Sequence, residues 1–316
     1  MAARLADIVR SQRECQHMMS ARTLEIDARG APPLPKGRSI ELASRGTTFV
    51  RECGDRDGGP SLMLLHGLAA TASLNWFSSF PALARNYHVV ALDHRGHGRG
   101  IRDGRAFTLE DAADDVVALA DALGIERFIP VGYSMGGPIA QLIWRRHPER
   151  VSGLVLCATA HTFRARPHEH LMFASLPALE LGTRVVPDLV SARILSVIAA
   201  RFLSTCKHAD WAQAELRLRD HHAVLQAAAA LGAYSARAWI DTVDVPTAVV
   251  VHARDQLVAP ARQLALSSRI RGATTHVIEA DHFAPVRKPA EFSNALAVAI
   301  ANVVRRQSAG FLELAS

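Results

Sequence analysis

Six residues closing an apolar run, Gly132-Tyr133-Ser134-Met135-Gly136-Gly137, place a serine between small neighbours in the pattern G-x-S-x-G. That pattern belongs to a strained strand-to-helix turn, which lifts a serine hydroxyl clear of a sheet for nucleophilic attack. A serine hydroxyl attacks poorly until a base takes its proton, and the base needs a third group to hold its tautomer and offset its charge. Candidates for both partners lie downstream. Asp255 follows the apolar run Thr247-Ala248-Val249-Val250-Val251-His252, and His282 follows His276-Val277-Ile278-Glu279. Each then falls on a loop just past a strand's carboxyl end, where open parallel sheets carry their chemistry. Asp281 is a competing carboxylate, but neighbours in sequence seldom face each other, which favours Asp255. A developing negative charge on a substrate carbonyl would need backbone donors. His66-Gly67-Leu68, directly after the apolar strand Ser61-Leu62-Met63-Leu64-Leu65, offers one from Leu68. Met135, at the positive end of the following helix, offers the other.

The elements that must position these residues are readable from periodicity. Phe128-Ile129-Pro130-Val131 reads as a buried strand leading into the serine, and Ile139-Ala140-Gln141-Leu142-Ile143-Trp144 carries the apolar spacing of a helix leading away from it. Pro138 suits the first helical turn, where its missing N–H costs no hydrogen bond. Pro130 is less comfortable, because it removes a ladder donor from a central strand, and the distortion of the turn is expected to absorb it. Residues 1–38 form an N-terminal extension: Leu5, Ile8 and Val9 suggest a short amphipathic helix, followed by the stretch Ala31-Pro32-Pro33-Leu34-Pro35. Two strands, Ile40 to Ala43 and Thr48 to Glu52, join around Gly46 as a hairpin, and strands then alternate with helices, which implies a mostly parallel, doubly wound sheet. Strand signals stop from about Thr162 to Thr242, where runs such as Val190-Ile194-Leu195-Ile198 and Ala223-Val224-Leu225 read as helical. The expected organisation is a core of residues 39–161 and 242–316 interrupted by a helical insertion of residues 162–241.

Taken together, these residues make the chain resemble the serine hydrolases of the α/β-hydrolase superfamily, esterase- and lipase-like with a helical cap. The resemblance runs from about Ile40 to Val304. It rests on His66-Gly67, on Asp93-His94-Arg95-Gly96-His97-Gly98 after the strand Val89-Val90-Ala91-Leu92, on the serine turn, and on the segments around Asp255 and His282. It implies an α/β-hydrolase fold with the cap inserted over the site. It also implies Ser134 as nucleophile, His282 as general base and acid, Asp255 as orienting carboxylate, and Leu68 and Met135 as backbone oxyanion donors, with no cofactor and no metal. The Asp93-His94-Arg95 turn is implied to shape the fold near the pocket. Some relatives carry their acid after the strand that follows the elbow helix, but Leu154-Val155-Leu156-Cys157-Ala158-Thr159-Ala160 ends without a carboxylate. The segment Ala280-Asp281-His282-Phe283 departs from the glycine-then-histidine common in the family. The implied activity is cleavage of an ester or related acyl bond of a small molecule. The same triad also serves C–C hydrolysis, perhydrolase and lyase chemistry in relatives, and a catalytically silent ligand-binding receptor is the reading from another class. Epoxide and haloalkane hydrolysis are disfavoured, because those relatives carry aspartate at the elbow.

Composition agrees with one large α/β domain plus an insertion: 316 residues, 49% of them hydrophobic. No apolar run approaches the roughly 20 residues of a membrane helix, and no signal-like stretch opens the chain, so a cytoplasmic protein without an integral membrane segment is expected. Cys15, Cys53, Cys157 and Cys206 are scattered and read as reduced thiols. The balance of 36 basic and 30 acidic residues gives a net charge of +6, yet the arginines are dispersed and no basic run is interleaved with aromatics. Nucleic-acid binding is therefore not expected. His168, His170, His221 and His222 lack a third ligand at zinc-like spacing and read as surface histidines. Trp76 and Phe77 either line the pocket or belong to the core. In the insertion, Arg164 or Arg166 would bind a carboxylate or phosphate of the substrate if turned to the pocket; pointed to solvent, neither would.

Overall fold

The computed structural model describes residues 24–25, 30–163, 206–218 and 220–314. The expectations for Leu5, Ile8, Val9, Cys15, Arg164, Arg166, His168, His170 and the Val190–Ile198 helix lie outside these residues. Ten strands are described. β1 (Leu24–Glu25) and β2 (Leu34–Pro35) form a small antiparallel pair. The others are β3 (Gly37–Leu42), β4 (Gly46–Cys53), β5 (Ser61–Leu65), β6 (His88–Leu92), β7 (Phe128–Tyr133), β8 (Leu154–Cys157), β9 (Thr247–His252) and β10 (Thr274–Ile278). They make one sheet in the order β10-β9-β8-β7-β5-β6-β4-β3. β3 and β4 pair antiparallel as the expected hairpin, β4 meets β6 antiparallel, and every other pairing is parallel.

The central strands read as unbroken apolar runs because both faces of the sheet are covered. Met63 and Leu65 of β5 point to one face, where they join α3 (Leu109–Ala122) and α4 (Gly136–Arg146) through residues such as Val116, Leu119, Ile139 and Ile143. Leu62 and Leu64 point to the other, where they meet α1 (Ala72–Trp76), α2 (Phe80–Leu83) and α9 (Pro289–Leu314) through Trp76, Phe80, Phe292 and Leu296. Trp76 is fully buried, stacked edge-on against Tyr133 with centroids 6.2 Å apart, so it is a core residue.

Pro130 sits where the sheet can spare its donor. It pairs with Met63 on the β5 side, but the β8 side is interrupted. Between the bridges Phe128–Val151 and Val131–Val155, Ile129 and Pro130 stand against Ser152, Gly153 and Leu154. The neighbouring strand thus carries one extra residue, a bulge-like break in the ladder. One missing ladder bond is worth ~1 kcal/mol, whereas each fully buried aliphatic side chain contributes ~1.5–3 kcal/mol. All six residues of β7 are buried, and burial decides the strand. The relief comes from this register break one turn upstream of the serine, rather than from the serine turn itself.

Between β8 and β9 the described helices are α5 (Ala209–Arg217) and α6 (His221–Ala233). They pack onto loops at the carboxyl ends of the strands. Trp211 lies edge-on to Phe77 at 5.6 Å. Buried Glu215 accepts from Thr71 Oγ1 at 2.6 Å and pairs with Arg99 at 3.0 Å. Tyr234 donates to Gln141 at 3.1 Å. Two further helices follow β9 and β10: α7 (Pro260–Arg269) and α8 (Ala284–Arg287).

Candidate active site

Ser134 sits between β7 and α4 with φ at +51°, a left-handed conformation that costs an L-residue roughly 1–2 kcal/mol. The surroundings hold it there. Its amide donates to the Cys157 carbonyl at 2.9 Å, and its carbonyl accepts from the Gly137 amide at 2.9 Å and from Thr159 Oγ1 at 2.8 Å. The glycines of the motif are required by close backbone approach. A Cβ on Gly132 would stand 2.3 Å from the Gly136 carbonyl oxygen, and one on Gly136 would stand 2.1 Å from that of Leu65. Such contacts are impossible without moving main chain.

The structure brings three sequence-predicted residues into one relay. His282 Nε2 lies 2.9 Å from Ser134 Oγ, and His282 Nδ1 lies 2.7 Å from Asp255 Oδ2. Asp255 comes from the loop after β9 and His282 from the loop after β10. The other groups facing the Asp255 carboxylate are also donors: the Leu257 and Val258 amides reach Oδ1 at 2.8 Å each, and Gln263 Nε2 reaches Oδ2 at 3.1 Å. Nδ1 of His282 therefore carries the hydrogen toward Asp255, and Nε2 is left as an acceptor for the Ser134 hydroxyl. The competing carboxylate is engaged elsewhere. Asp281 pairs with Arg287 and accepts from the Phe283 amide at 2.8 Å.

The expected backbone donors lie on the two segments flanking Ser134. Met135 is the N-cap of α4 and supplies no side-chain cap, which sets its own amide at the positive end of that helix; further in, the Gly137 amide is taken by the Ser134 carbonyl and Pro138 has none. The loop after β5 runs against the serine: a Cβ on Gly67 would stand 3.3 Å from Ser134 Cβ, and Leu68 is the next residue. The Gly67 amide is fixed by Asn75 Oδ1 at 3.0 Å, and Ala69 takes φ of +60° to turn the chain back.

Under this loop lie three buried histidines. The His66 ring stands 4.4 Å from His94 and 5.5 Å from His97, centroid to centroid. His66 Nδ1 donates to the Gly67 carbonyl at 2.8 Å and its Nε2 accepts from the His94 amide at 2.9 Å, which makes the ring neutral and fixes its tautomer. Burial pushes the His94 imidazole down to about 3 and the His66 imidazole well below its usual range. Asp93, also buried, accepts from the amides of Ala72 and Arg99 at 2.7 and 2.8 Å. Burial raises it to about 6, against the pull of those hydrogen bonds. The Asp93-His94-Arg95 turn thus ties loops together beside the serine.

Several residues of the site escaped sequence reasoning. Gln263 bridges Asp255 and the His252 amide, Thr159 braces the serine carbonyl, and Tyr133 donates its hydroxyl to the His282 carbonyl at 2.7 Å. Tyr133 stood in view as a variable position of the G-x-S-x-G pattern and Thr159 as part of the run after the elbow helix, neither with this role. Among the described residues no group of three or more histidine, cysteine, aspartate or glutamate side chains is disposed to hold a metal ion, and no helix is long and apolar enough to cross a membrane.

Comparison with known proteins bears on the whole arrangement. The chain is 34% identical over 138 residues to the dihydrolipoyllysine-residue acetyltransferase component of the acetoin cleaving system of Pseudomonas putida, a match that covers 43% of this chain and only 37% of that protein. It is 28% identical over 261 residues to pyrrolizixenacetamide deacetylase of Xenorhabdus hominickii, covering 78% of this chain and 92% of that one. A solved hydrolase from Pseudomonas aeruginosa superposes with a TM-score of 0.71 at 24% identity, over 84% of this chain and 98% of its own, and so shares the fold. The family model described as alpha/beta hydrolase fold matches residues 60–289, which hold the serine, the carboxylate and the histidine alike, and the chain belongs to the α/β-hydrolase family.

Proposed function

We propose that this chain is a serine hydrolase that cleaves an ester or related acyl bond of a small molecule through a covalent acyl-enzyme on Ser134. The observation that carries this reading is the unbroken relay from Ser134 Oγ to His282 Nε2 at 2.9 Å and from His282 Nδ1 to Asp255 Oδ2 at 2.7 Å. In the forward step Ser134 Oγ bonds to the acyl carbon while its proton passes to His282 Nε2. The carbonyl oxygen takes the displaced electron pair and is met by the amides of Leu68 and Met135. Collapse of that intermediate breaks the bond to the leaving group, which departs with the proton from His282. Water then attacks the acyl-serine, gives its proton to the same nitrogen, and releases the acid as Oγ recovers a proton. Asp255 holds the Nδ1–H tautomer throughout and offsets the imidazolium charge. Residues 162–241, with α5 and α6 among them, act as the cap that bounds the substrate. A relative named as a deacetylase agrees with acyl chemistry.

The test is covalent labelling together with turnover. A fluorophosphonate should label Ser134, and Ser134→Ala should abolish labelling and lower turnover of p-nitrophenyl esters by about 10³-fold or more. A panel graded in acyl length then reads the size of the pocket. Ester turnover undiminished in purified Ser134→Ala would remove Ser134 as the nucleophile.

A further inference from the structure

The base of the relay sits on a loop whose backbone is gripped from two directions. The hydroxyl of Tyr133 donates to the carbonyl of His282 at 2.7 Å, and Nδ1 of His252 donates to the carbonyl of Asp281 at 2.9 Å. Tyr133 is the last residue of β7, adjacent to the serine, and His252 is the last residue of β9, three before Asp255. The strands that carry the nucleophile and the acid therefore each lend a side-chain donor to successive carbonyls of the segment that carries the base.

We infer that Tyr133 and His252 are positioning residues that fix the distance and angle of the His282 imidazole to Ser134 and Asp255. This inference rests on the serine-hydrolase reading above. Neither donor is free to wander. Tyr133 is only 4% exposed and wedged edge-on between Trp76 at 6.2 Å and Phe292 at 5.4 Å, with the His252 ring 5.7 Å away. His252 is fully buried, packs edge-on to Phe292 at 5.9 Å, and has its amide held by Gln263. Burial lowers its imidazole to about 4, so the ring stays in the neutral form that donates from Nδ1 where hydrolysis is expected. Other holds include the Ala284 amide on the Asp281 carbonyl at 3.3 Å, the Phe283 amide on the Asp281 carboxylate at 2.8 Å, and the Arg254 amide on the Ala280 carbonyl at 3.0 Å. The Tyr133 and His252 bonds are the side-chain donors that reach the Asp281 and His282 carbonyls from the strands leading to Ser134 and Asp255. Removing the Tyr133 hydroxyl leaves the packing of its ring intact and releases the carbonyl of the catalytic histidine itself. A misplacement of about 1 Å in such a relay can cost about 10²-fold in rate.

The experiment compares the full-length chain with Tyr133→Phe, His252→Phe and Ser134→Ala. It follows kcat and KM for p-nitrophenyl acetate across pH, the rate of fluorophosphonate labelling, and thermal unfolding. Tyr133→Phe is expected to fold, to lose at least tenfold in kcat and in labelling rate together, and to keep KM within about threefold. His252→Phe should move the same readouts in the same direction; if it fails to fold, Tyr133→Phe decides. If Tyr133→Phe lowers only the melting temperature, with kcat and labelling within twofold of the parent while Ser134→Ala abolishes both, the inference is overturned and the hydrolase reading survives. If Ser134→Ala retains both activities, the hydrolase reading falls and the inference falls with it.

Discussion

Asp255 and Asp281 are two carboxylates flanking one histidine, and only their partners tell them apart. Asp255 Oδ1 is occupied by two backbone amides, and Oδ2 receives Gln263 Nε2 and His282 Nδ1. An amide in place of that carboxylate can still accept from the Leu257 and Val258 amides through its oxygen. Its NH2 group would then face two donors, and the way out is for His282 to turn its lone pair to Nδ1 and present Nε2–H to the serine. A histidine in that tautomer cannot take the Ser134 proton. Asp255→Asn is therefore expected to lower kcat by about 10⁴-fold, as the corresponding exchange does where a serine triad has been dissected. Asp281→Asn loses an ion pair in which both side chains are about one-third exposed, an interaction worth at most ~1 kcal/mol, and kcat should stay within a few-fold of the parent. Steady-state kinetics of the two variants on one ester decides the assignment, and the reverse ranking would transfer the orienting role to Asp281.

At the scale of elements, the serine turn depends on strand and helix backbones meeting at distances only glycine permits. Gly136→Ala is expected to cost ~2 kcal/mol or more, because the added methyl meets the Leu65 carbonyl oxygen at 2.1 Å and neither backbone can yield cheaply. It should also remove most labelling, since Leu65 leads into the loop that carries Leu68. Urea unfolding beside labelling rate checks both, and an alanine variant matching the parent would refute the close approach. These glycines were legible in the sequence as a motif, and so were the strands that end at the site. Ser61–Leu65 and Thr247–His252 are apolar at nearly every position, a pattern set by burial on both faces. The contact of His282 with Asp255 was anticipated as well, from a local rule about neighbours. What sequence reading could not supply was contact across long separations where no catalytic motif marks the residues. Tyr133 and His282 stand 149 residues apart, and Thr71 and Glu215 stand 144 apart, with no periodicity to link them. Pro130 was legible as an anomaly, but its accommodation depends on the register of β8, which is a property of two strands together.

Over the whole molecule, the buried histidines set the response to acid. An unfolded chain takes a proton on each imidazole near 6.5, whereas the native chain takes one at about 3 on His94, at about 4 on His252 and His161, and well below 6.5 on His66. Between those values the unfolded state binds more protons, so stability rises with pH and is lost as pH falls below about 6.5. Glu52 works in the same direction, since its bond to His88 holds it well below the usual carboxylate range. Asp93 works against them: burial lifts it to about 6, so its ionisation takes stability away as pH rises from 3.8 toward 6. Among the described residues, one opposing group against several leaves a net loss on acidification. Each excess proton contributes a slope of about 1.4 kcal/mol per pH unit. His94 is the ring to remove, because both its nitrogens are buried with no hydrogen-bond partner, and an apolar side chain forfeits no bond there. His94→Leu should thus unfold in urea near pH 7 with a stability within ~1 kcal/mol of the parent. Between pH 4 and 6 its stability should fall less steeply, by about one proton's worth of slope. Equal slopes for variant and parent would show that His94 takes no part in the acid response, and the acid lability would then rest on the other buried groups alone.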